Sequence, residues 1–252
     1  YRRSVVLIED FYVDLFRVCG GTTHDWMIQH AGSAPWFSMT MRDASFEPAD
    51  WLSHGTNRIR HALVDDAWDA RWRVDDVTSR ITMLDAAGTE VYALETYPID
   101  NAVITPQNPP CQTLCVRRHD DSAFLVVGDA WKDKPNLETI SRSDHGEAVR
   151  LKTSSNIYYV IYGPGSSRFD DGISLATDAA FAAIRSMDAV TMVMGTRLDL
   201  TSPRGSLHVK TVDRISVFAE WFAGTVTFEV AGDIHDTYGG VDHDRPAPRA
   251  AV

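Results

Sequence analysis

Apolar residues recur at every second position along most of this chain, and that period limits the fold more than any other feature. A period of two places alternate side chains on opposite faces of an extended strand. The runs fall at residues 4–8, 11–18, 24–30, 36–41, 71–74, 79–84, 90–95, 113–118, 123–130, 148–153 and 157–162. They continue at 190–194, 206–209, 215–219 and 225–230. Turn formers punctuate them: Gly20-Gly21, Gly88, Asp120-Asp121, Asp144-His145-Gly146, Gly163-Pro164-Gly165, Asp171-Gly172 and Gly232-Asp233. Short strands at this spacing predict an all-β chain, a large antiparallel β-sandwich with long loop excursions. One Ala-rich segment, 176–187, reads as a helix, although Ala179, Phe181, Ala183 and Arg185 also fit a strand. Residues 46–76 are the least regular and read as a folded loop excursion carrying Trp51, Trp68 and Trp72. The expected organisation is one sandwich domain over 1–232 and a loose tail over 233–252.

Charge and composition exclude some partners. The net charge of −11 argues against nucleic acid, which needs clustered Lys and Arg. It leaves room for an anionic sugar in a local basic cleft. No apolar run approaches the roughly 20 residues of a membrane-spanning helix, so no membrane partner is expected. The start at Tyr1 reads as a piece of a longer polypeptide, and no signal peptide is recognisable. Cys111 and Cys115 fall in an extended segment, about 13 Å apart. A disulfide tolerates about 7 Å, so free thiols are expected, and the compartment stays open. A signal peptide on the parent would place it in a periplasm or outside the cell.

The most pointed segment is Gly20-Gly21-Thr22-Thr23-His24-Asp25-Trp26-Met27-Ile28-Gln29-His30. On a strand, His24, Trp26, Ile28 and His30 share a face. Two histidines flanking a tryptophan suit a sugar cleft, where the indole stacks on a ring and imidazole bonds hydroxyls. The same pattern suits a core strand with Trp26 and Ile28 inside. His54, Arg58, Arg60 and His61 form a basic group near Trp51 that fits a uronate, because Arg grips carboxylates bidentately. It equally suits a solvated loop balanced by Asp65 and Asp66. Arg117, Arg118 and His119 end a strand and need no function there. The tentative substrate-binding set is His24, Trp26, His30, Trp51, Arg58 and Arg60. No catalytic residue and no metal ligand is assigned, and P-loop, dinucleotide, G-x-S-x-G and H-E-x-x-H motifs are absent.

Several pieces occur in an order that resembles a known family. They are Tyr1 to Ile8, then Tyr12-Val13-Asp14-Leu15-Phe16-Arg17-Val18-Cys19-Gly20-Gly21, then His24-Asp25-Trp26 and His30. Asn108-Pro109-Pro110, Leu114 to Arg118, Ser122 to Val127, Asp171-Gly172-Ile173, Thr177-Asp178-Ala179 and Gly195-Thr196-Arg197-Leu198 follow. Together they resemble the carboxy-terminal β-sandwich region of heparinase II/III-like polysaccharide lyases. The resemblance implies a supersandwich and, on the same polypeptide, an N-terminal α/α toroid that carries the catalysts. It implies an acidic, uronic-acid-containing polysaccharide as partner, cleaved by β-elimination. The family's His-x-His-x-Asp element, with a zinc role in some members, has no match here. No cofactor is therefore expected in this chain, and zinc would belong to the complete enzyme. By itself the chain would be catalytically incomplete. The alternative is a carbohydrate-binding or interaction module without chemistry, suggested by Trp51, Trp68 and Trp72.

Overall fold

A computed structural model describes residues 1–30, 34–45, 58–84, 87–96, 111–143, 148–186, 189–203, 205–222, 225–231 and 237–242. The chain is all-β with antiparallel pairing throughout, as the alternation predicts. Its contacts divide it into two units, Tyr1–Asn136 and Leu137–Val252, where the sequence reading expects one sandwich over 1–232. A strand pair needs no local marker of which sheet it joins, so alternation cannot show such a division.

The first unit contains β1 (Arg2–Ile8), β2 (Phe11–Val18), β3 (Thr23–His30), β4 (Trp36–Phe37), β5 (Arg42–Asp43) and β6 (Ile59–Val64). It continues with β7 (Trp68–Val74), β8 (Val77–Leu84), β9 (Thr89–Thr96), β10 (Cys111–His119) and β11 (Ser122–Trp131). Six strands form one sheet in the order β1-β2-β11-β8-β7-β4, and five form a second in the order β3-β10-β9-β6-β5. One core lies between them. The first sheet supplies Trp68, Ala70, Trp72, Ile81, Met83, Phe124 and Val126; the second supplies Trp26, Ala62, Val64, Val91, Leu114 and Val116. This is the sandwich architecture, with alternate residues of each strand facing inward.

Two neighbouring crossings carry the chain between the sheets. Gly20 and Gly21, both at positive φ, lead from β2 to β3, and Asp120 and Asp121 lead from β10 to β11. The Gly20 amide donates to Asp121 Oδ1 at 2.7 Å, and Asp120 N donates to the Thr22 carbonyl at 3.3 Å. Within the first sheet, Gly128 lies opposite Tyr12, whose ring occupies the space a Cβ would need. Asp14 is buried and accepts from Arg3 Nη2 at 2.7 Å and Trp26 Nε1 at 3.1 Å.

Part of the expected loop excursion is regular structure. Trp68, Ala70 and Trp72 alternate with Asp69, Arg71 and Arg73 on β7, and both tryptophans are core residues. Burial of two indoles on one face outweighs the polar residues between them, which face outward. Residues 46–57, with Trp51 and His54, lie outside the described residues.

The second unit contains β12 (Leu137–Arg142), β13 (Ala148–Thr153), β14 (Ile157–Tyr162), β15 (Gly165–Arg168), β16 (Ser174–Thr177) and β17 (Phe181–Arg185). It ends with β18 (Ala189–Ser202), β19 (Gly205–Phe222), β20 (Thr225–Ala231) and β21 (Thr237–Asp242). They pair into one ten-stranded sheet. β18 changes partner along its length, with β17 beside Ala189 to Val193 and β16 beside Leu198 to Thr201; its pairing with β19 is irregular around Gly195. Both halves feed one core, which includes Tyr159, Ile161, Leu175, Ile184, Met192, Leu200 and Leu207.

The expected helix over 176–187 is not formed. Residues 176–186 belong to β16, β17 and the turns beside them, with Ala182 and Ile184 fully buried on one face. Asp178 holds the turn, accepting from the amides of Thr196 and Arg197 at 2.8 Å each. Alternating burial and this side-chain bond outweigh alanine's helix propensity. Within the expected loose tail, residues 237–242 pair with β19 as β21.

Candidate functional site

The tentative substrate residues that are described each have contacts of their own. Trp26 is 2% exposed, lies in the sandwich core, and spends its indole N–H on Asp14. It has no face for a sugar to stack on, so the proposed stacking role is corrected to a packing role. His30 stacks on Trp72 at 5.1 Å and 12°, and its Nε2 lies 3.3 Å from Ser79 Oγ. His24 packs over Gly21 and has a buried Nε2 without a hydrogen-bond partner. Arg60 sits over the Phe37 ring at 5.5 Å. Arg58 is exposed, 4.0 Å from Asp43. Trp51 lies outside the described residues. Trp68 and Trp72 are buried, which removes them as an exposed aromatic platform.

The polar side chains that do meet lie on the outer face of the second sheet. Strand pairing explains why. Arg117 of β10 is opposite Asp25 of β3 and Glu90 of β9; one step along, Cys115 is opposite Met27 and Tyr92, and Tyr92 is opposite His61 of β6. Directly opposed residues in an antiparallel pair share a face. Four strands thus bring Asp25, Arg117, Glu90, Tyr92, His61 and His119 together.

Their bonding is dense. Arg117 Nε and Nη2 each donate to Asp25 at 2.8 Å, a bidentate pair that raises the guanidinium pKa. The guanidinium also lies over the Tyr92 ring, 5.7 Å from its centre. Tyr92 donates its hydroxyl to Glu90 Oε2, and His119 Nε2 lies 3.0 Å from Glu90 Oε1. His119 Nδ1 lies 3.3 Å from the Thr22 carbonyl. A carbonyl and a carboxylate can only accept, so both ring nitrogens carry protons when both contacts form. The Glu90 bond, then the Thr22 bond, accordingly raise the His119 pKa. The Tyr92 bond, followed by that of His119, holds Glu90 below the usual carboxylate range. Burial first, and then Glu90, push the Tyr92 hydroxyl up. The His61 ring packs against Tyr92 at 4.7 Å, tilted by 34°, with its Nε2 3.8 Å from Glu90 Oε2.

Beneath this group Met27, Ile59, Tyr92, Leu94 and Cys115 form a small apolar cluster. Burial pushes the Cys115 thiol up to about 12, so it is an unreactive packing residue. All three cysteines are free, as the spacing predicts. The group therefore presents proton donors, a guanidinium and two carboxylates, held fixed by one another. Sequence reading assigned Arg117 and His119 to an ordinary strand end. Their alternation with Cys115 marks a shared face, but their partners Glu90 and Tyr92 follow only from strand register.

The second unit has a smaller polar group. His208 Nδ1 lies 2.8 Å from Asp199 Oδ1, and Arg197 also donates to Asp199. It borders a shallow groove of about 220 Å³, lined partly by Ser166, Ser174, Asp199 and Thr201. Among the described residues, no cluster of three or more His, Cys, Asp or Glu is placed to hold a metal ion. No protein-family model matches this chain, and no curated protein matches it significantly.

Proposed function

We propose that this chain is the β-sandwich portion of a heparinase II/III-like polysaccharide lyase, and that it offers the outer face of its second sheet to a uronic-acid polysaccharide. The order of sequence pieces described above is the basis for the family. The Asp25–Arg117–Glu90–Tyr92–His61–His119 group is the structural observation that supports the reading. An acidic sugar carries hydroxyls and a carboxylate together. Glu90 and Asp25 accept from hydroxyls, whereas Arg117 and protonated His119 attract the carboxylate. Their mutual bonds hold these groups in place before a ligand arrives, which lowers the entropic cost of binding.

In this reading the chain supplies a wall of the cleft and the toroid supplies the base and acid for β-elimination. The base removes the proton beside the carboxylate; the acid protonates the departing glycosidic oxygen. Neutralising the carboxylate first makes that proton accessible. Calorimetry of the chain with uronic-acid polysaccharides at low salt tests the binding half. Arg117→Ala and His119→Ala should each weaken binding about tenfold, near 1.4 kcal/mol. Unchanged affinity in both variants would remove this face from the proposal. The lyase half is tested by ultraviolet absorbance of unsaturated uronate with the longer polypeptide. If that polypeptide cleaves no uronic-acid polysaccharide, the lyase assignment is wrong.

A further inference from the structure

We propose that Trp36 and the Asp69–Arg71 pair form a second carbohydrate-binding site, on the outer face of the first sheet, that takes a neutral, extended β-linked polysaccharide. Among the described tryptophans Trp36 alone is mainly exposed, at 62%. Its display is fixed by its neighbours. Phe37 turns inward against the core and Trp68, 6.5 Å away, so Trp36 turns outward. The segment is pinned to β7 by two bonds. Ser38 N donates to the Asp69 carbonyl at 3.0 Å, and Asp69 N donates to Ser38 Oγ at 2.9 Å.

Strand register sets polar groups beside the indole. Trp36 is opposite Arg71 of β7, Arg71 is opposite Arg80 of β8, and Arg80 is opposite Asp129 of β11. Two residues along β7, Asp69 is opposite Thr82. Directly opposed residues share a face. Arg71 Nε donates to Asp69 Oδ1 at 2.7 Å, and Arg80 donates to both oxygens of Asp129, at 2.8 and 2.9 Å. Each guanidinium therefore has a carboxylate of its own, and these charges cancel. Hydrogen-bonding capacity remains: a guanidinium has five N–H groups, a carboxylate has further lone pairs, and the Ser38 hydroxyl keeps its proton.

These features select the ligand. The face of an indole is negative and attracts polarised C–H groups. A pyranose with equatorial substituents presents C–H groups on its flat faces and hydroxyls at its rim. Trp36 suits the first, and Ser38, Asp69 and Arg71 suit the second. An apolar protein patch would leave the Asp69–Arg71 pair desolvated beside the indole. Nucleic acid needs cations that are not cancelled locally. A sheet face is broad and shallow, which suits an extended β-linked chain better than a coiled one. The site lies on the other sheet from the uronate-binding face and does not rest on the lyase reading.

Calorimetry of the 252-residue chain with hydroxyethylcellulose and with glucomannan tests this. Binding to at least one is expected, with little dependence on salt. Trp36→Ala should weaken it at least about tenfold, and Trp36→Phe, which keeps an aromatic face, should recover part of the loss. Circular dichroism checks that each variant stays folded. If Trp36→Ala disturbs folding, acrylamide quenching decides: hydroxyethylcellulose should shield an indole in the intact chain, and Trp36→Phe should lose that shielding. A chain that binds neither polysaccharide overturns the proposal. So does binding that Trp36→Ala leaves intact. Binding to alginate alone, indifferent to Trp36→Ala, would overturn this site and leave the acidic-sugar reading standing.

Discussion

The inner and outer faces of the second sheet are made by the same strands, one residue out of step. On β10, Leu114 and Val116 enter the core, while Cys115 and Arg117 face the other way. The inner face is chosen by volume: Trp26, Val91, Leu114 and Val116 fill space against Trp72 and Phe124. The outer face is chosen by pairing of charge and hydrogen-bond capacity. The histidines divide accordingly. His30 is stacked on an indole, whereas His119 is bonded to a carboxylate and a carbonyl. Residue type alone therefore says little about a histidine's role; the parity of its position says more.

Substitutions should separate the two faces by their effects. Trp72→Ala, at a residue 1% exposed, should cost about 3–5 kcal/mol in denaturant unfolding. A loss below about 1 kcal/mol would mean that the inner face is not packed as described. Asp14→Ala leaves the buried Trp26 N–H without its acceptor and should cost about 1–3 kcal/mol. Arg117→Ala, on the outer face, should cost only about 1 kcal/mol of stability while weakening acidic-sugar binding. Equal loss of stability in Trp72→Ala and Arg117→Ala would abolish the distinction.

His119 sharpens the comparison through pH. Its pKa is raised by Glu90, above the ordinary value near 6.5. Its contribution is complete below about pH 6.5 and fades as pH climbs through the raised midpoint. Glu90 has the opposite sense: its contribution is complete above about pH 4.3 and lost as pH falls through its lowered midpoint. In NMR titration His119 should have its midpoint above 6.5, and Glu90→Gln should bring it down. A wild-type midpoint at or below 6.5 would break the assignment. The smallest effect belongs to Arg58→Ala, beside the exposed Asp43, where stability should stay within about 0.5 kcal/mol.

Alternation made the strands and most turns legible from the residues alone. The Gly20-Gly21 turn is an example, since two adjacent left-handed positions suit glycine. The second sheet's polar group was not legible, because its members come from four separated strands and meet only through register. Glu90 and Arg117 each look like ordinary surface residues in their own segments. Trp68 reads as part of an irregular stretch because charged neighbours obscure its alternation, whereas the run at 71–74 already places Trp72 on a strand. The helix over 176–187 was misread for a different reason: alanine favours a helix locally, while Ile184 and Ala182 gain more from the shared core.

Gly128 and Tyr12 occupy one volume between them. They lie far apart along the chain, yet neither can be chosen alone. A side chain at 128 must evict the phenol ring, and a smaller residue at 12 opens a hollow over the glycine. In any collection of sequences that keeps this sheet, positions 12 and 128 should therefore change as a pair, a large residue at one matched by a small residue at the other. An engineer grafting new strands onto this scaffold would have to treat them as a single site with two addresses.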